Sequence, residues 1–190
     1  MQQYAPQDGF GCSREAYRML EEWLDGPEAA VLGHAGLEEE LAARGRELQR
    51  LMLQEHLDAR AAREARRAGV AGPDGITRTR AERGHSRQLS TVFGPVTVTR
   101  IAYRAPGAAN VHVADAELSL PPGRHSHGLA LMAAVAAAGA SFGRAAAAVA
   151  AATGSRLGRR QCEELTRQAA ADFEAFWACQ IFCVCRGLVC

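Results

Sequence analysis

The 190-residue sequence contains no lysine, so all 22 of its basic residues are arginine. A GC-rich genome also produces an excess of arginine and alanine, so the arginine content alone does not indicate a function. The N-terminus, MQQYAPQDGF, has no apolar segment, which predicts no targeting signal. The alanine-rich run 129–152 is interrupted by glycine, serine and arginine and is too weak to span a membrane. We therefore expect a cytoplasmic protein without membrane contact, whose cysteines stay reduced.

Signatures of catalysis are scarce as well. The sequence has no glycine-rich phosphate loop, no GxSxG elbow and no HExxH pair. Metal-dependent DNA strand transfer needs about three convergent carboxylates to hold its ions. The acids after residue 111 are Asp115, Glu117, Glu163, Glu164, Asp172 and Glu174. The last four fall on one predicted helix at spacings that suit solvation. We expect no catalytic residue, no metal and no cofactor, and we interpret His125 and His127 as an exposed pair at a helix start.

Four of the six cysteines fall in the last twelve residues, at Cys179, Cys183, Cys185 and Cys190. Their segment, ACQIFCVCRGLVC, has no CxxC pair and does not match the spacing of common zinc modules. The composition changes abruptly after Trp177. We therefore predict that residues 178–190 form an aberrant tail, read in a frame that has left its original course, and that the tail carries no function.

Charge is unevenly distributed along the chain. Residues 1–58 hold 5 arginines and 12 acids, whereas residues 59–110 hold 10 arginines and 3 acids. Residues 111–190 are close to neutral, with 7 arginines and 6 acids. A basic middle segment that follows an acidic N-terminal segment indicates a surface that binds a polyanion.

Two helices are predicted in the N-terminal region, separated by Gly26-Pro27. The first is a short helix over 13–25, and the second runs from about Leu37 to Arg67. The apolar seam of the second helix consists of Leu37, Leu41, Leu48, Leu51 and Met52. Its heptad fit is imperfect and covers few repeats. A helix that packs within its own domain is therefore favoured over a short coiled coil that dimerises.

The middle of the chain predicts a β-hairpin. Residues 69–75 form a loop, and the arginine-rich stretch that follows contains Arg78, Arg80, Arg83 and Arg87. The predicted strands are 88–93 and 96–104, with Gly94-Pro95 between them. Val96 and Val98 mark one face, while Ile101 and Tyr103 mark the other. This phase change indicates either a bulge near Thr99 or a strand covered on both faces.

The segment SFGRAAAAVAAATGSRLGRRQCEELTRQAAADF is typical of two helices joined by a tight turn. Ser141 is a good N-cap, Gly154 suits a positive φ after a helix end, and Leu157 can fill the space between the helices. The second helix has an apolar stripe of Cys162, Leu165, Ala169, Phe173 and Phe176. Its outer residues are Arg159, Arg160, Gln161, Arg167 and Gln168.

A preceding helix from Ser126 to about Ala138, with Leu129, Met132 and Val135 inward, completes a predicted three-helix unit. Arginine and glutamine at a helix start suit DNA phosphates and base edges, as in a helix-turn-helix. The alternative is an ordinary helical hairpin with a solvated face, which Glu163 and Glu164 favour.

Two stretches resemble the ISKra family of bacterial insertion-sequence transposases: VFGPVTVTRIAYRAPGAANVHVADAELSLPPGRHSHGL and SFGRAAAAVAAATGSRLGRRQCEELTRQAAADFEAF. The resemblance covers roughly residues 37–176. It implies that the N-terminal part binds the inverted repeats at element ends. It also implies a later RNase-H-like domain with an acidic metal-binding triad, and nothing after Phe176 resembles that domain. We therefore carry over DNA binding and not catalysis.

Together these observations predict a mainly α protein with a long N-terminal helix, a β-hairpin and a C-terminal three-helix helix-turn-helix unit. The expected divisions are 1–70, 71–122, 123–177 and 178–190. The expected function is that of a truncated transposase fragment that binds double-stranded DNA without strand transfer. The alternative is a helical module that pairs with itself or with a full-length transposase. The predicted DNA contacts are Arg156, Arg159, Arg160, Gln161 and Arg167 at the groove, and Arg78, Arg80, Arg83, Arg87, Arg100 and Arg104 on phosphates.

Overall fold

The computed structural model describes residues 9–171. The helices are α1 (Gly11–Leu24), α2 (Pro27–Ala30), α3 (His34–Arg63), α4 (Val113–Glu117), α5 (His127–Ala138), α6 (Phe142–Thr153) and α7 (159–171). The strands are β1 (Val70–Ala71), β2 (Thr77–Arg78), β3 (Arg80–Thr91) and β4 (Gly94–Arg104). The predicted mainly α architecture with a hairpin is confirmed. Within 9–171, no helix has both the length and the apolar composition to cross a membrane. The predicted tail, Phe173 and Phe176 lie outside the described residues.

Helices α1 and α3 form an antiparallel pair. At one end, the backbone N–H of Cys12 donates to the Glu55 carboxylate, with 2.6 Å between N and Oε1. At the other end, the guanidinium carbon of Arg44 lies 4.3 Å from the centroid of the Trp23 ring. The start of α1 therefore lies beside the later part of α3. Helix α1 is followed by a break at Gly26-Pro27, as predicted, and Pro27 is the first residue of α2.

Helix α3 covers the outer edge of β4. The Gln54 amide accepts from the Thr97 N–H at 2.7 Å and donates to the Thr97 carbonyl at 3.0 Å. Farther along, the Glu64 carboxylate accepts from the Ile101 N–H at 2.8 Å. Leu57 packs against the buried side chains of Leu89, Val96 and Val98. Side chains from α3 and its C-terminal end thus form hydrogen bonds with backbone groups on the edge of β4. In a larger sheet, a third strand would bond to those groups.

The hairpin is longer than predicted, because β3 already begins at Arg80 and includes the arginine-rich segment. Its turn is also displaced. Thr91 pairs with Gly94, so Val92 and Phe93 form the loop and the predicted Gly94-Pro95 turn is wrong by two residues. Gly94 has φ +119°, a conformation that disfavours any side chain. The Thr91 hydroxyl donates to the Gly94 carbonyl at 2.7 Å and closes the turn.

The phase change on β4 has two structural sources. The register shifts on β3, between Glu82 and His85, and not near Thr99 on β4. Opposite this shift, Ile101, Ala102 and Tyr103 are each at most 1% exposed, so the strand is covered on both faces. The second of the two predicted alternatives therefore describes β4, and the bulge belongs to its partner strand.

Helices α5, α6 and α7 share one small core. Its buried members are Leu129, Ala133, Ala145, Ala146, Val149, Leu157, Cys162 and Leu165. The predicted caps are confirmed: the Ser141 hydroxyl accepts from the Arg144 N–H, and Gly154 has φ +66°. Two predicted core positions are wrong, because Val135 is 67% exposed and Ala169 is also exposed.

The hairpin turn docks on this three-helix core. The Ser155 hydroxyl, which is buried, donates to the Thr91 carbonyl at 2.8 Å. The Ser90 N–H donates to the Arg124 carbonyl at 2.7 Å, and the Ser126 N–H donates to the Ser90 carbonyl at 2.9 Å. Val92 at the turn packs against the core. These contacts fix the start of α5 and the α6–α7 turn relative to the hairpin.

Candidate nucleic-acid interface

Arg78 belongs to the protein interior, and its assignment as a phosphate contact is wrong. Its side chain is 1% exposed and donates to both carboxylate oxygens of Asp74, at 2.9 and 2.7 Å. It also donates to the carbonyls of Ile76, at 2.7 Å, and Ala109, at 2.8 Å. The hydrogen bonds from Arg78 lower the pKa of Asp74 to about 2. Arg78 therefore holds the β1–β2 loop to the connector after β4 and has no surface left for DNA.

Arg100 is also buried, at 8% exposure, and its assignment to phosphates is wrong for the same reason. Its Nε lies 2.8 Å from the Asp115 carboxylate, an ion pair without hydrogen-bond geometry. Across the hairpin, Arg87 donates to the carbonyls of Pro121, at 2.7 Å, and Gly123, at 2.9 Å. These groups join the hairpin to the segment that leads into α5. Arg87 is therefore a structural residue as well.

A polar cluster connects these arginines on the hairpin to α4. The rings of His85 and His112 lie 5.7 Å apart between centroids, and Arg104 binds the His85 ring at 3.0 Å and Glu82 at 2.8 Å. Burial lowers the pKa of His112, and the charge of nearby Arg100 lowers it further. Arg104 is thus already paired, and its prediction as a free phosphate contact needs correction.

Arg80 and Arg83 are the two predicted hairpin contacts that remain exposed. Among the residues that the structure describes, Arg83 makes one hydrogen bond, to the Glu64 carbonyl at 3.2 Å, and has no acidic partner. Both lie where β3 begins, and the turn that docks on the three-helix core lies where it ends. The hairpin therefore exposes two arginines to solvent at the end opposite its turn.

At the beginning of α7, the predicted residues are positioned differently. Arg156, Arg159 and Arg160 are all exposed. None of their guanidinium groups has an ion pair or a hydrogen bond to another residue within 9–171. Arg156 lies in the turn before α7, and Arg159 and Arg160 are its first two residues. The start of α7 thus carries three positive charges that no described acid neutralises.

The rest of α7 is close to neutral. Arg167 binds Glu163 at 2.9 Å and Glu164 at 2.7 Å on its own helix, so its assignment as a groove contact needs correction. The side-chain oxygen of Gln161 accepts from the Gly158 N–H at 2.9 Å and caps the helix start. Positive charge is consequently confined to the N-terminal end of α7, and Gln161 is partly used by the fold.

The beginning of α6 adjoins this end of α7. Arg159 lines the same open concavity as Ser141, Phe142 and Gly143, which begin α6. Arg144, in the same first turn, is exposed and has no side-chain partner among the described residues. Sequence reasoning missed Arg144, although its position three residues after the N-cap Ser141 was a usable signal. The N-terminal ends of α6 and α7, each with a partial positive charge, therefore adjoin the concavity that Arg159 lines.

This arrangement is better suited to binding anionic oxygens than to catalysis. Backbone N–H groups in the first turn of a helix lack helical acceptors and readily bind phosphate. Arginine adds two parallel N–H donors that match a phosphate group. Arg144, Arg156, Arg159 and Arg160 are therefore the candidate interface, which we call the α6–α7 basic end.

The comparisons with known proteins found no relative of this chain. No protein-family model matches the chain, and no curated protein or solved structure matches it.

Proposed function

We propose that the protein binds the phosphate backbone of double-stranded DNA through the α6–α7 basic end. The observation that carries the proposal is the contrast in neutralisation between arginines. Arg156, Arg159 and Arg160 have no described acidic partner, whereas Arg78, Arg100 and Arg167 are all ion-paired. Charge left unpaired at a helix start attracts a polyanion, and releasing its counterions favours binding.

The contacts fall mainly on phosphates. A phosphate at the start of α7 receives backbone N–H groups and the guanidinium groups of Arg159 and Arg160. A neighbouring phosphate lies within reach of Arg144 at the start of α6. Gln161 caps α7 with its amide oxygen, so we do not assign it a base contact. Binding of this kind is strongly salt-dependent and only weakly sequence-specific.

Arg80 and Arg83 supply a second contact on the same duplex. They lie about 25–35 Å along β3 from the turn that docks on the three-helix core, at about 3.3 Å per residue. One turn of B-DNA spans about 34 Å. A duplex that follows the hairpin therefore reaches both arginine groups within about one turn.

The resemblance to ISKra transposases supports the ends of an insertion sequence as the target DNA. The proposed activity is binding alone, without cleavage or joining of strands. A protein with this activity binds DNA that includes the element ends and competes with an active transposase for that DNA.

Fluorescence anisotropy with a labelled duplex, measured over a series of salt concentrations, tests the proposal. The Arg159→Ala, Arg160→Ala double variant is expected to reduce the slope of log K against log[salt] by about 1.8, or about 0.9 for each lost phosphate contact. Arg167→Ala is the matched control, because it removes an exposed arginine of the same helix whose charge is already compensated. Wild-type affinity and slope in the double variant would overturn the proposal.

A further inference from the structure

An exposed apolar seam runs along one side of the α1–α3 pair. It consists of Phe10, Tyr17 and Leu24 from the α1 side and Leu41, Leu48 and Met52 from α3. Five of these six side chains are exposed, and Leu48 is half-buried. Spacings of seven on α1, and of seven and four on α3, place each set on one helical face. Phe10, Tyr17, Leu48 and Met52 line one open concavity of ≈ 450 Å³ between the two helices. We call these six residues the N-terminal seam.

The N-terminal seam is not covered by the contacts that α3 makes. The face of α3 toward β4 carries Leu53, Gln54 and Leu57, and the side toward α1 carries Glu55 and Arg44. The exposed fractions are 36% for Phe10, 52% for Tyr17, 41% for Leu24, 41% for Leu41 and 48% for Met52.

Helices α1 and α3 therefore leave several large apolar side chains exposed to water. Among the residues of these two helices, Ser13 and Leu57 are the ones that are buried. By contrast, the three-helix core of α5, α6 and α7 buries eight residues in one cluster. A pair of helices is generally too small to bury its own apolar stripe, and four-helix bundles do so by adding a second pair.

We propose that a second copy of this chain docks on the N-terminal seam, so that α1 and α3 of both copies form a four-helix bundle. The two-fold axis makes the interface self-complementary, since each copy contributes the same six side chains. The interaction is independent of DNA binding, because the seam and the α6–α7 basic end share no residue.

The exposed area of the seam matches what such a dimer requires. Side chains of this size have about 200 Å² of surface each, so their exposed fractions leave on the order of 500 Å² of apolar area. A standard interface buries about 800 Å² per partner, of which about 65% is apolar in homodimers, or about 500 Å². The seam therefore supplies the apolar core of one complete dimer interface without help from other surfaces.

Sedimentation velocity and light scattering on the full chain, under reducing conditions, test the inference. The wild type is expected to be a dimer at micromolar concentration. Met52→Glu introduces a charge into the apolar centre of the bundle, twice by symmetry, and is expected to raise the dimer dissociation constant by about 100-fold or more.

Met19→Glu is the matched control. Met19 is 56% exposed, yet it lies on the opposite side of α1 from Tyr17, so this variant is expected to remain dimeric. Circular dichroism reports whether each variant keeps its helices, and Tyr17→Glu replaces Met52→Glu if the latter loses helical content. A monomeric wild type at 100 µM, or a seam variant that folds and dimerises like Met19→Glu, would overturn the inference.

Discussion

Two arginines on β-strands, Arg78 of β2 and Arg100 of β4, share a residue type with the arginines of the α6–α7 basic end but differ from them in burial and pairing. Arg78 and Arg100 are buried, and each faces a carboxylate at hydrogen-bond distance. Arg159 and Arg160 are exposed and have no described partner. Because a buried guanidinium must be paired while an exposed one need not be, arginine serves stability in one region and leaves charge for a ligand in the other.

This comparison shows that a stretch of sequence rich in arginine does not necessarily form a positively charged surface. The most arginine-rich part of the chain, residues 59–110, uses Arg78, Arg87 and Arg100 internally. Residues 111–190 are nearly neutral in sum, yet they leave Arg156, Arg159 and Arg160 exposed without a partner among the described residues. Removing arginines from the two regions should therefore separate stability from DNA binding.

Arg78→Ala is expected to have the largest effect on stability, lowering Tm by about 10 °C, since it leaves the Ala109 carbonyl without its donor and Asp74 without its cation. Thermal unfolding followed by circular dichroism measures it. Arg80→Ala, an exposed arginine two residues away, should change Tm by about 1 °C or less. Equal Tm values for the two variants would remove the distinction between buried and exposed arginines.

Arg100→Ala is expected to have the second largest effect on stability. It should lower the free energy of unfolding by about 2 kcal/mol, or Tm by about 6 °C, because Asp115 loses its cation while it stays partly buried. Solvent reaches Asp115, which limits the cost. Asp115→Asn, Arg100→Met in combination should recover part of the loss, since neither charge remains. A double variant less stable than Arg100→Ala would show that the pair is not the cause.

A smaller, pH-dependent effect is expected at His112. Its pKa in the folded protein is lowered by burial and by Arg100, so its contribution to stability is complete above the unfolded value of about 6.5. The contribution is lost as the pH falls from about 6.5 toward the lower pKa of the folded state. His112→Gln should therefore flatten the dependence of Tm on pH between 7 and 5. An unchanged dependence in His112→Gln would show that this ring is not the source of the effect.

The smallest effect on stability is expected for Arg159→Ala, Arg160→Ala, with Tm within about 1 °C of the wild type. The same variant is the one expected to lose DNA affinity. A large fall in Tm together with lost binding would mean that these arginines support the fold, and the contrast between the two regions would disappear.

Local signals in the sequence predicted the α6–α7 turn well. Ser141, Gly154 and Leu157 each act within a few residues of their position, through a cap, a positive φ and a plug between helices. The start of β3 could not be predicted in this way, because residues 80–87 have no alternating apolar pattern. Their strand forms through pairing with β4, which lies later in the chain.

The roles of the arginines were the least predictable part of the site. Arg100 is paired 15 residues away, with Asp115, and Arg87 donates to carbonyls more than 30 residues away. Burial that depends on such distant partners leaves no local pattern to read. Arg144 was missed although it lies three residues after the N-cap Ser141, because that position marks the start of a helix and does not show that α7 begins nearby.

The Gln54 amide has a consequence for solubility. An uncovered strand edge is a template on which a strand from another molecule can add, and this is how many β-rich proteins aggregate. Here the Thr97 backbone is occupied by Gln54 only while α3 stays in place. Heating or proteolysis that loosens α3 would expose β4, so the route from this mainly helical protein to insoluble β-structure begins with the loss of a helix.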